Sequence, residues 1–193
     1  RVLLTDTDFR SVYHPSVTVF YNEKDDQGDK NMKINNKEYK ITPVDKKAEA
    51  LCQKRWDSIA KPLHSLGKLE TLLIQIAGIT GNPDIDFSRR ALVAMCADNG
   101  VVEEGVTQTG QEVTAIVAEN FLKGDTSVCA MCRQCNVLVY PVDTGMVTDT
   151  KVRTDLKVMK GTHNMAKGPA MTREEAIRGI MAGVTAAAEL KAK

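Results

Sequence analysis

Two short apolar runs alternate with segments of helical spacing along the second half of the chain. Residues 91–97 and 137–142 are almost entirely apolar. Short continuous runs of this kind are typical of parallel strands that are covered on both faces. Helical spacing predicts helices over 112–122 and 125–134, and a capping box at 172–175 begins a last helix. This alternation predicts an α/β fold with a parallel, doubly wound sheet and flanking helices.

Two more helices are predicted before the sheet. The Thr-Pro pair at 42–43 supplies an N-cap followed by proline at the first helical position, and the Lys-Pro pair at 61–62 ends that helix. The second helix follows Ser65 and stops at the Gly-Asn-Pro sequence of 81–83.

The first forty residues differ in character from the rest of the chain. Residues 17–21 have the composition of a short strand, whereas residues 22–36 are rich in Asp, Lys and Asn and show no amphipathic period. We therefore predict a flexible tail or linker over residues 1–40. A further hypothesis is that translation begins at Met32, which would make residues 1–31 a translated leader.

The predicted sheet is incomplete. Two strands are too few for a doubly wound sheet, and the last helix has the position of a crossover that delivers a third strand. We therefore expect this sequence to be the truncated N-terminal part of a longer protein. The missing strands would leave an unpaired edge and uncovered apolar faces, so we expect the chain alone to be poorly soluble or to oligomerise.

Composition and charge limit the class of partner. The chain has 26 basic and 25 acidic residues and few aromatic residues, which gives neither a basic groove nor a stacking platform for nucleic acid. No apolar run approaches the roughly 20 residues of a membrane span. Five cysteines without a signal peptide fit reduced thiols. We expect a cytoplasmic protein without a nucleic-acid or membrane partner.

Aspartates follow both predicted strands. Asp98 comes after the first strand and Asp143 after the second. The carboxyl ends of parallel strands meet at the ligand-binding edge of an open α/β sheet, so the two side chains could face one pocket. The alternative is that each carboxylate accepts hydrogen bonds from the backbone of its own turn. Residues 98–110 form a long loop, which is usually functional in a compact domain, but they lack the standard phosphate-binding motifs.

Three cysteines have a spacing that metal sites also use. Cys129, Cys132 and Cys135 form a C-x2-C-x2-C sequence, which occurs in iron–sulfur and zinc sites. A fourth ligand is missing and the segment lies on a predicted helix, so we favour burial of the small thiols against the sheet. Cys52 and Cys96 fall at core positions and have the same interpretation. The sequence predicts no metal site.

Three short blocks carry a resemblance to a known enzyme family. Residues 61–70, KPLHSLGKLE, resemble the opening K-P-x-x-S-L-G-x-L-E, and residues 95–106 resemble the loop M-x-A-D-H-G-V-x-x-E-G-V. Residues 168–171 match a G-P-A-M turn. The blocks occur in family order within residues 43–193. On these blocks the chain resembles the nicotinate-nucleotide–dimethylbenzimidazole phosphoribosyltransferases.

The resemblance implies both an architecture and a reaction. It implies a Rossmann-like sheet domain, truncated here, together with N-terminal helices that belong to a small helical domain, in a homodimer. The implied enzyme transfers phosphoribose from nicotinate mononucleotide to 5,6-dimethylbenzimidazole. The products are α-ribazole 5′-phosphate, which serves cobalamin synthesis, and nicotinate, and no metal or redox cofactor takes part. Residues 1–40, the predicted tail or leader, have no counterpart in the family pattern, and the resemblance divides the rest into the N-terminal helices 41–80 and the first part of the Rossmann-like domain 81–193.

The family pattern also implies substrate-binding positions. Thr109 falls where a hydroxyl residue borders the base slot, and Val117 falls near the base at a position where Gln is known. Met95 and Asp98 lie at the strand end beneath the pocket, and Glu104 is a candidate for supporting the site. The catalytic carboxylate of the family is expected beyond the end of this chain, so no residue here is assigned as the general base.

Departures from the family pattern leave alternatives open. Val117 makes the pocket wall less polar than Gln would, which would suit a relative that activates another base, such as adenine or a phenol. Asn99 replaces a more familiar His, and His64 stands where Gly is often found. A different class of function is a short, non-catalytic paralogue that pairs with a full-length enzyme.

Overall fold

The computed structural model describes residues 20–21, 30–34 and 37–192, and the side chains of Ile34 and of residues 38–192. The chain divides into two compact units, Arg1–Phe87 and Ser88–Lys193. The part of the chain that is described contains no helix with the length and apolar character of a membrane span.

A small antiparallel sheet opens the first unit. Its strands, in spatial order, are β1 (Phe20–Tyr21), β2 (Lys30–Ile34) and β3 (Lys37–Ile41). Met32 of β2 pairs with Tyr39 of β3. The prediction of a flexible tail or linker is therefore wrong over Lys30–Ile34 and over residues 37–40, because β2 and β3 supply each other with backbone partners that composition alone does not reveal. Phe20–Tyr21 confirm the end of the predicted strand over 17–21, and residues 1–19, 22–29 and 35–36 of the predicted tail lie outside the described residues.

The first predicted helix, α1, spans Lys46–Ser58. Its N-cap is Asp45, whose Oδ1 accepts hydrogen bonds from the amides of Lys47 at 2.9 Å and Ala48 at 3.0 Å. The prediction of Thr42 as N-cap is wrong, because the Asp45 carboxylate satisfies two free amides three residues further on. The helix also ends three residues before the Lys-Pro pair at 61–62.

The second predicted helix, α2, spans Lys68–Thr80 and ends at Gly81. The left-handed φ of 68° at Gly81 confirms the predicted stop. The two helices pack closely through small residues, since a Cβ on Gly78 would lie 2.6 Å from the Glu49 side chain. The amide of Asp45 also donates to the Gly78 carbonyl at 2.8 Å.

The second unit contains the predicted parallel strands and helices. Strand β4 (Ala91–Ala97) pairs in parallel with β5 (Leu138–Gly145), as the two apolar runs predict. The remaining elements are a 3₁₀ helix (Gly100–Glu104), α3 (Glu112–Lys123), α4 (Ser127–Gln134) and α5 (Arg173–Ala192).

The ends and the core of this unit follow from local chemistry. The capping box before α5 is confirmed: the Thr172 amide donates to Glu175 at 2.8 Å, and the Glu175 amide donates to the Thr172 hydroxyl at 3.2 Å.

The buried cluster of the unit consists of Ala115, Ala118, Met146 and Val152. Alanines on α3 allow this helix to approach β5 and the segment that follows it closely.

Strand β4 is less covered than its sequence predicts. Val93 is 39% exposed and Met95 is 41% exposed, whereas the alternate positions are half-buried. The prediction of burial on both faces is therefore wrong. Among the described residues β5 is the only strand paired with β4, so the sheet is narrow and one side of the strand keeps solvent contact.

Candidate functional site

Asp143, at the carboxyl end of β5, closes its own turn. Its Oδ1 accepts hydrogen bonds from the amides of Gly145 at 3.0 Å and Met146 at 2.8 Å. Its Oδ2 lies 2.9 Å from Lys157 Nζ, and both atoms are buried without a hydrogen bond of regular geometry. Of the two interpretations of this aspartate, the structure supports satisfaction of the local backbone.

Asp98, at the carboxyl end of β4, joins the two strand ends. Its Oδ2 accepts a hydrogen bond from the Val147 amide at 2.8 Å, and its own amide donates to the Gly145 carbonyl at 3.0 Å. The carbonyl of Asp98 accepts from Thr162 at 3.0 Å. Asp98 is 3% exposed, so its carboxylate holds the backbone after β5 and is not open to solvent.

The 3₁₀ helix after β4 interlocks with residues 161–164. The Gly100 amide donates to the Thr162 hydroxyl at 3.1 Å. A Cβ on Gly100 would lie 2.4 Å from the Thr162 carbonyl oxygen and 2.7 Å from the Asn164 nitrogen, which is closer than side chains tolerate. Glycine is therefore required at this position by the contact itself. We call the contact of residues 98–104 with residues 161–167 the loop junction.

Two acids of the loop junction meet an amide and an ammonium group. Asn164 Nδ2 donates to Glu104 Oε1 at 2.6 Å and lies 3.3 Å from Glu103 Oε2. Lys167 Nζ donates to Glu103 Oε2 at 2.9 Å and lies 3.6 Å from Glu104 Oε1. Hydrogen bonds from Lys167 and Asn164 lower the pKa of Glu103, and the bond to Glu103 raises the pKa of Lys167.

The five substrate-binding candidates occupy different environments. Asp98 is buried, and the carboxylate of Glu104 is engaged by Asn164. Met95, Thr109 and Val117 have exposed side chains on β4, the loop and α3 respectively. The structure therefore brings the two acids into the loop junction and leaves three side chains open to a ligand.

The loop that carries Thr109 is held mainly at its ends. Gln111 Nε2 donates to the Asn99 carbonyl at 3.1 Å, and Glu104 contacts Asn164 at the other end. Between them, the Thr109 amide lies 3.4 Å from the Thr107 hydroxyl. The exposure of residues 103–110 means that the end contacts determine where this loop lies.

The cysteines agree only in part with their predicted burial. Cys52, Cys129 and Cys132 are buried, Cys96 is half-buried against the core cluster, and Cys135 is exposed at the end of α4. The prediction for Cys135 is wrong because the position after the last helical turn faces solvent. Burial raises the pKa of the Cys96 thiol, and the Asp143 charge adds to this effect. Within residues 38–192, no three His, Cys, Asp or Glu side chains are grouped as a metal ion would need.

The first of the three sequence blocks forms a buried ion pair in the N-terminal unit. Lys61 Nζ lies 2.8 Å from Glu70 Oε1, and Glu70 is 2% exposed. Glu70 also accepts from the Leu66 amide at 3.1 Å, so this carboxylate organises the turn before α2. The Lys61 ammonium lowers the pKa of Glu70 against the opposing effect of burial. His64, in the same turn, adopts a left-handed φ of 57°.

Sequence reasoning missed the second side of the loop junction. Thr162, Asn164 and Lys167 lie about sixty residues after their partners, and Lys157 approaches Asp143 from the same segment. The only local signal was the irregular, Gly/Pro-bounded stretch 161–171, which precedes the last helix.

Comparison with known proteins identifies the family that this chain resembles. A family model described as phosphoribosyltransferase matches residues 41–193. A nicotinate-nucleotide–dimethylbenzimidazole phosphoribosyltransferase of Clostridium tetani is 44% identical over 147 residues, which are 75% of this chain and 41% of the relative. The corresponding protein of Acetivibrio thermocellus is 45% identical over 145 residues, 74% of this chain and 41% of the relative.

A solved structure supports the same assignment. The crystal structure of nicotinate-nucleotide–dimethylbenzimidazole phosphoribosyltransferase from Thermus thermophilus superposes with a TM-score of 0.69 at 38% identity, over 77% of this chain and 46% of that one. The chain thus spans less than half the length of these relatives. With the motif blocks, the parallel β4–β5 pair and the match over residues 41–193, the chain belongs to the nicotinate-nucleotide–dimethylbenzimidazole phosphoribosyltransferase family.

Proposed function

We propose that this chain is part of an enzyme that transfers phosphoribose from nicotinate mononucleotide to 5,6-dimethylbenzimidazole, giving α-ribazole 5′-phosphate and nicotinate. The observations that carry the proposal are the 44% identity to a relative of that name and the family-model match over residues 41–193, which includes all three motif blocks. The reaction is a displacement at the ribose carbon. It requires a slot for a flat aromatic base, a carboxylate that takes the proton of the base, and donors for the 5′-phosphate.

This chain is proposed to contribute the base slot. Met95 and Val117 offer exposed apolar surface, and Thr109 offers a hydroxyl, which together suit a flat base with one polar edge. Asp98 and Glu104 would act beneath this surface by holding the loop. The general base and most of the mononucleotide site are proposed to lie in the part of the relatives that this chain does not span.

The wider organisation belongs to the same proposal. Helices α1 and α2 are proposed to belong to a small helical domain, and the sheet of β4 and β5 to a Rossmann-like domain. The enzyme is further proposed to be a cytoplasmic homodimer without a metal or redox cofactor. The near-neutral charge and the low aromatic content support small-molecule substrates over nucleic acid.

The test reconstitutes the enzyme from two parts. The purified chain is mixed with nicotinate mononucleotide and dimethylbenzimidazole, with and without the separately produced C-terminal part of the Clostridium tetani relative. Mass spectrometry follows α-ribazole phosphate. Product that requires both parts supports the proposal, and the C-terminal part alone serves as the control. Product from the chain alone would place the proton acceptor within residues 1–193, whereas no product in any mixture would contradict the proposed reaction.

One observation favours a second candidate for the acceptor base. Val117 is 41% exposed and apolar at a position proposed to border the base. A related activity on a less polar acceptor, such as a phenol, would use this wall equally well. Competition between dimethylbenzimidazole, adenine and a phenol in the reconstituted assay distinguishes the candidates, with Val117→Gln as the matched variant expected to shift preference toward dimethylbenzimidazole.

A further inference from the structure

The contacts of the Glu104 carboxylate favour a role in holding the loop over a direct contact with substrate. Its Oε1 accepts a hydrogen bond of 2.6 Å from Asn164 Nδ2, and Lys167 Nζ lies 3.6 Å from the same oxygen. One oxygen of the Glu104 carboxylate is thereby committed to Asn164, which ties this side chain to residues 161–167. Its effect on a ligand would therefore pass through the loop that it holds.

Asn164 is the better buried partner and has one defined orientation. It is 8% exposed, its Oδ1 accepts from the Ala166 amide at 3.0 Å, and its Nδ2 faces Glu103 and Glu104. Rotating the amide by half a turn would place its oxygen against two carboxylates and its NH₂ group against an amide donor. The side chain therefore joins the 3₁₀ helix to residues 164–166 in one arrangement only.

Lys167 contributes less than Asn164 to holding the start of the loop. Its ion pair with Glu103 is 2.9 Å long, but both side chains are about two-thirds exposed. Solvent-exposed pairs of this kind contribute little, whereas a buried hydrogen bond to a charged group contributes more. The start of the exposed loop after Glu104 is therefore held chiefly by the Asn164 amide.

The end of the same loop is held independently by Gln111. Residues 105–110 have exposed side chains and lie between these two anchors, and Thr109 lies among them. Gly105 adopts a left-handed φ of 70°, which turns the chain directly after the Glu104 anchor. Loss of this anchor would free the exposed segment to move about its Gln111 end and leave α3, which packs in the core, in place.

We propose that Glu104 and Asn164 are a positioning pair that fixes the loop 105–110, and with it Thr109, beside the acceptor base. This inference rests on the proposed function, because it assigns the loop to the base slot. It makes Glu104 a positioning residue that acts through the loop. It also adds Asn164, which the sequence analysis did not single out.

The test uses an isosteric change and its reversal. Asn164→Asp keeps the acceptor for the Ala166 amide but turns the donor toward Glu104 into a third carboxylate oxygen. Glu104→Gln in the same chain restores one donor and one acceptor between the two positions with their roles exchanged. Lys46→Ala removes an exposed pair with Glu49 in α1 and serves as the matched control.

The first measurement is amide hydrogen exchange of the full 193-residue chain. We expect Asn164→Asp to raise exchange of the Gly105 amide, which donates to the Val102 carbonyl at the start of the loop, by roughly tenfold or more, with α3 and α4 unchanged, and the double variant to return toward wild type. The control should leave the loop unchanged. Unaltered loop exchange in Asn164→Asp, or an equal rise across the whole second unit, would overturn the pair as a local anchor.

The second measurement is the kinetics of the reconstituted reaction. We expect Asn164→Asp to raise KM for the acceptor base roughly tenfold while kcat changes by less than about threefold, and the double variant to recover most of the loss. A raised loop exchange with unchanged KM would refute the link to the base slot. A KM that stays high in the double variant although its loop exchange has recovered would mean that Glu104 contacts substrate directly. The exchange result stands even where wild type forms no product, so failure of the reaction and failure of the pair are distinguishable.

Discussion

Gly100→Ala is the substitution to which the loop junction should be most sensitive. The added Cβ would lie 2.4 Å from the Thr162 carbonyl oxygen, 2.7 Å from the Asn164 nitrogen and 2.7 Å from the His163 carbonyl carbon. All three are backbone atoms, so rotation of a side chain cannot relieve the clash. Ordinary contact begins at 3.4 Å, so residues 162–164 must retreat by about 1 Å, the difference between 3.4 and 2.4 Å.

The expected magnitude combines two effects. Overpacking of a close contact costs about 1–3 kcal/mol. The retreat also strains the hydrogen bonds from Gly100 to Thr162 and from Thr162 to Asp98, which contribute about 0.5–1.5 kcal/mol each. Because strained bonds lose about half of this contribution, we expect a total loss of about 2–4 kcal/mol in the free energy of unfolding. For a chain of this size the melting temperature should then fall by about 4–16 °C.

Thermal unfolding followed by circular dichroism provides the assay. Gly168→Ala is the matched control, because it lies in the same irregular segment with nothing within 4 Å of its added Cβ and without a positive φ. The control should melt within a few degrees of wild type. If Gly100→Ala melted at the temperature of the control, the close approach between the 3₁₀ helix and residues 162–164 would be refuted as a requirement for glycine.

Three other predictions concern charges and strain outside this contact. His64→Gly should raise the melting temperature by about 1–4 °C, because it relieves a left-handed φ of 57°; an unchanged or lower melting temperature would contradict this. Lys61→Met should lower stability at pH 7 and reverse its pH dependence. In wild type the lowered pKa of Glu70 makes stability fall as pH drops through that pKa, whereas the buried carboxyl of the variant, without its ammonium partner, gains stability on protonation. Melting curves at pH 7 and pH 4 test this, and a variant that loses stability at pH 4 in the way wild type does would contradict it. Arg153→Ala should raise amide exchange several-fold in the last turns of α5, since Arg153 pairs with Glu189 there; protected amides would refute that role.

Much of the second unit follows from local patterns. The apolar runs predict β4 and β5 and their parallel pairing, and the capping box predicts the start of α5, which the structure confirms. These signals are readable because side-chain spacing and cap chemistry act within a few residues. How far other elements cover β4 is not encoded within a few residues, because the exposure of Met95 depends on which elements surround the strand.

Errors in the first unit have the same physical origin. Two potential N-caps stand three residues apart, and the position of the first hydrogen-bonded turn selects Asp45 over Thr42. The polar sequence of β2 becomes a strand by pairing with β3, which a composition window does not detect. The expectation that the chain alone is poorly soluble stays a prediction, as does the leader that would end before Met32.

The sequence by itself determined the family, the parallel sheet and the placement of Asp98 and Asp143 at the carboxyl ends of its strands, because motif blocks and periodicity are encoded residue by residue. The tertiary structure alone decided what these acids do. Asp143 closes its own turn, Asp98 holds the backbone of Val147, and Glu104 meets Asn164, which lies sixty residues further along the chain. Partners this distant in sequence come together only after the strands pair and the loops pack. No local pattern specifies that distance.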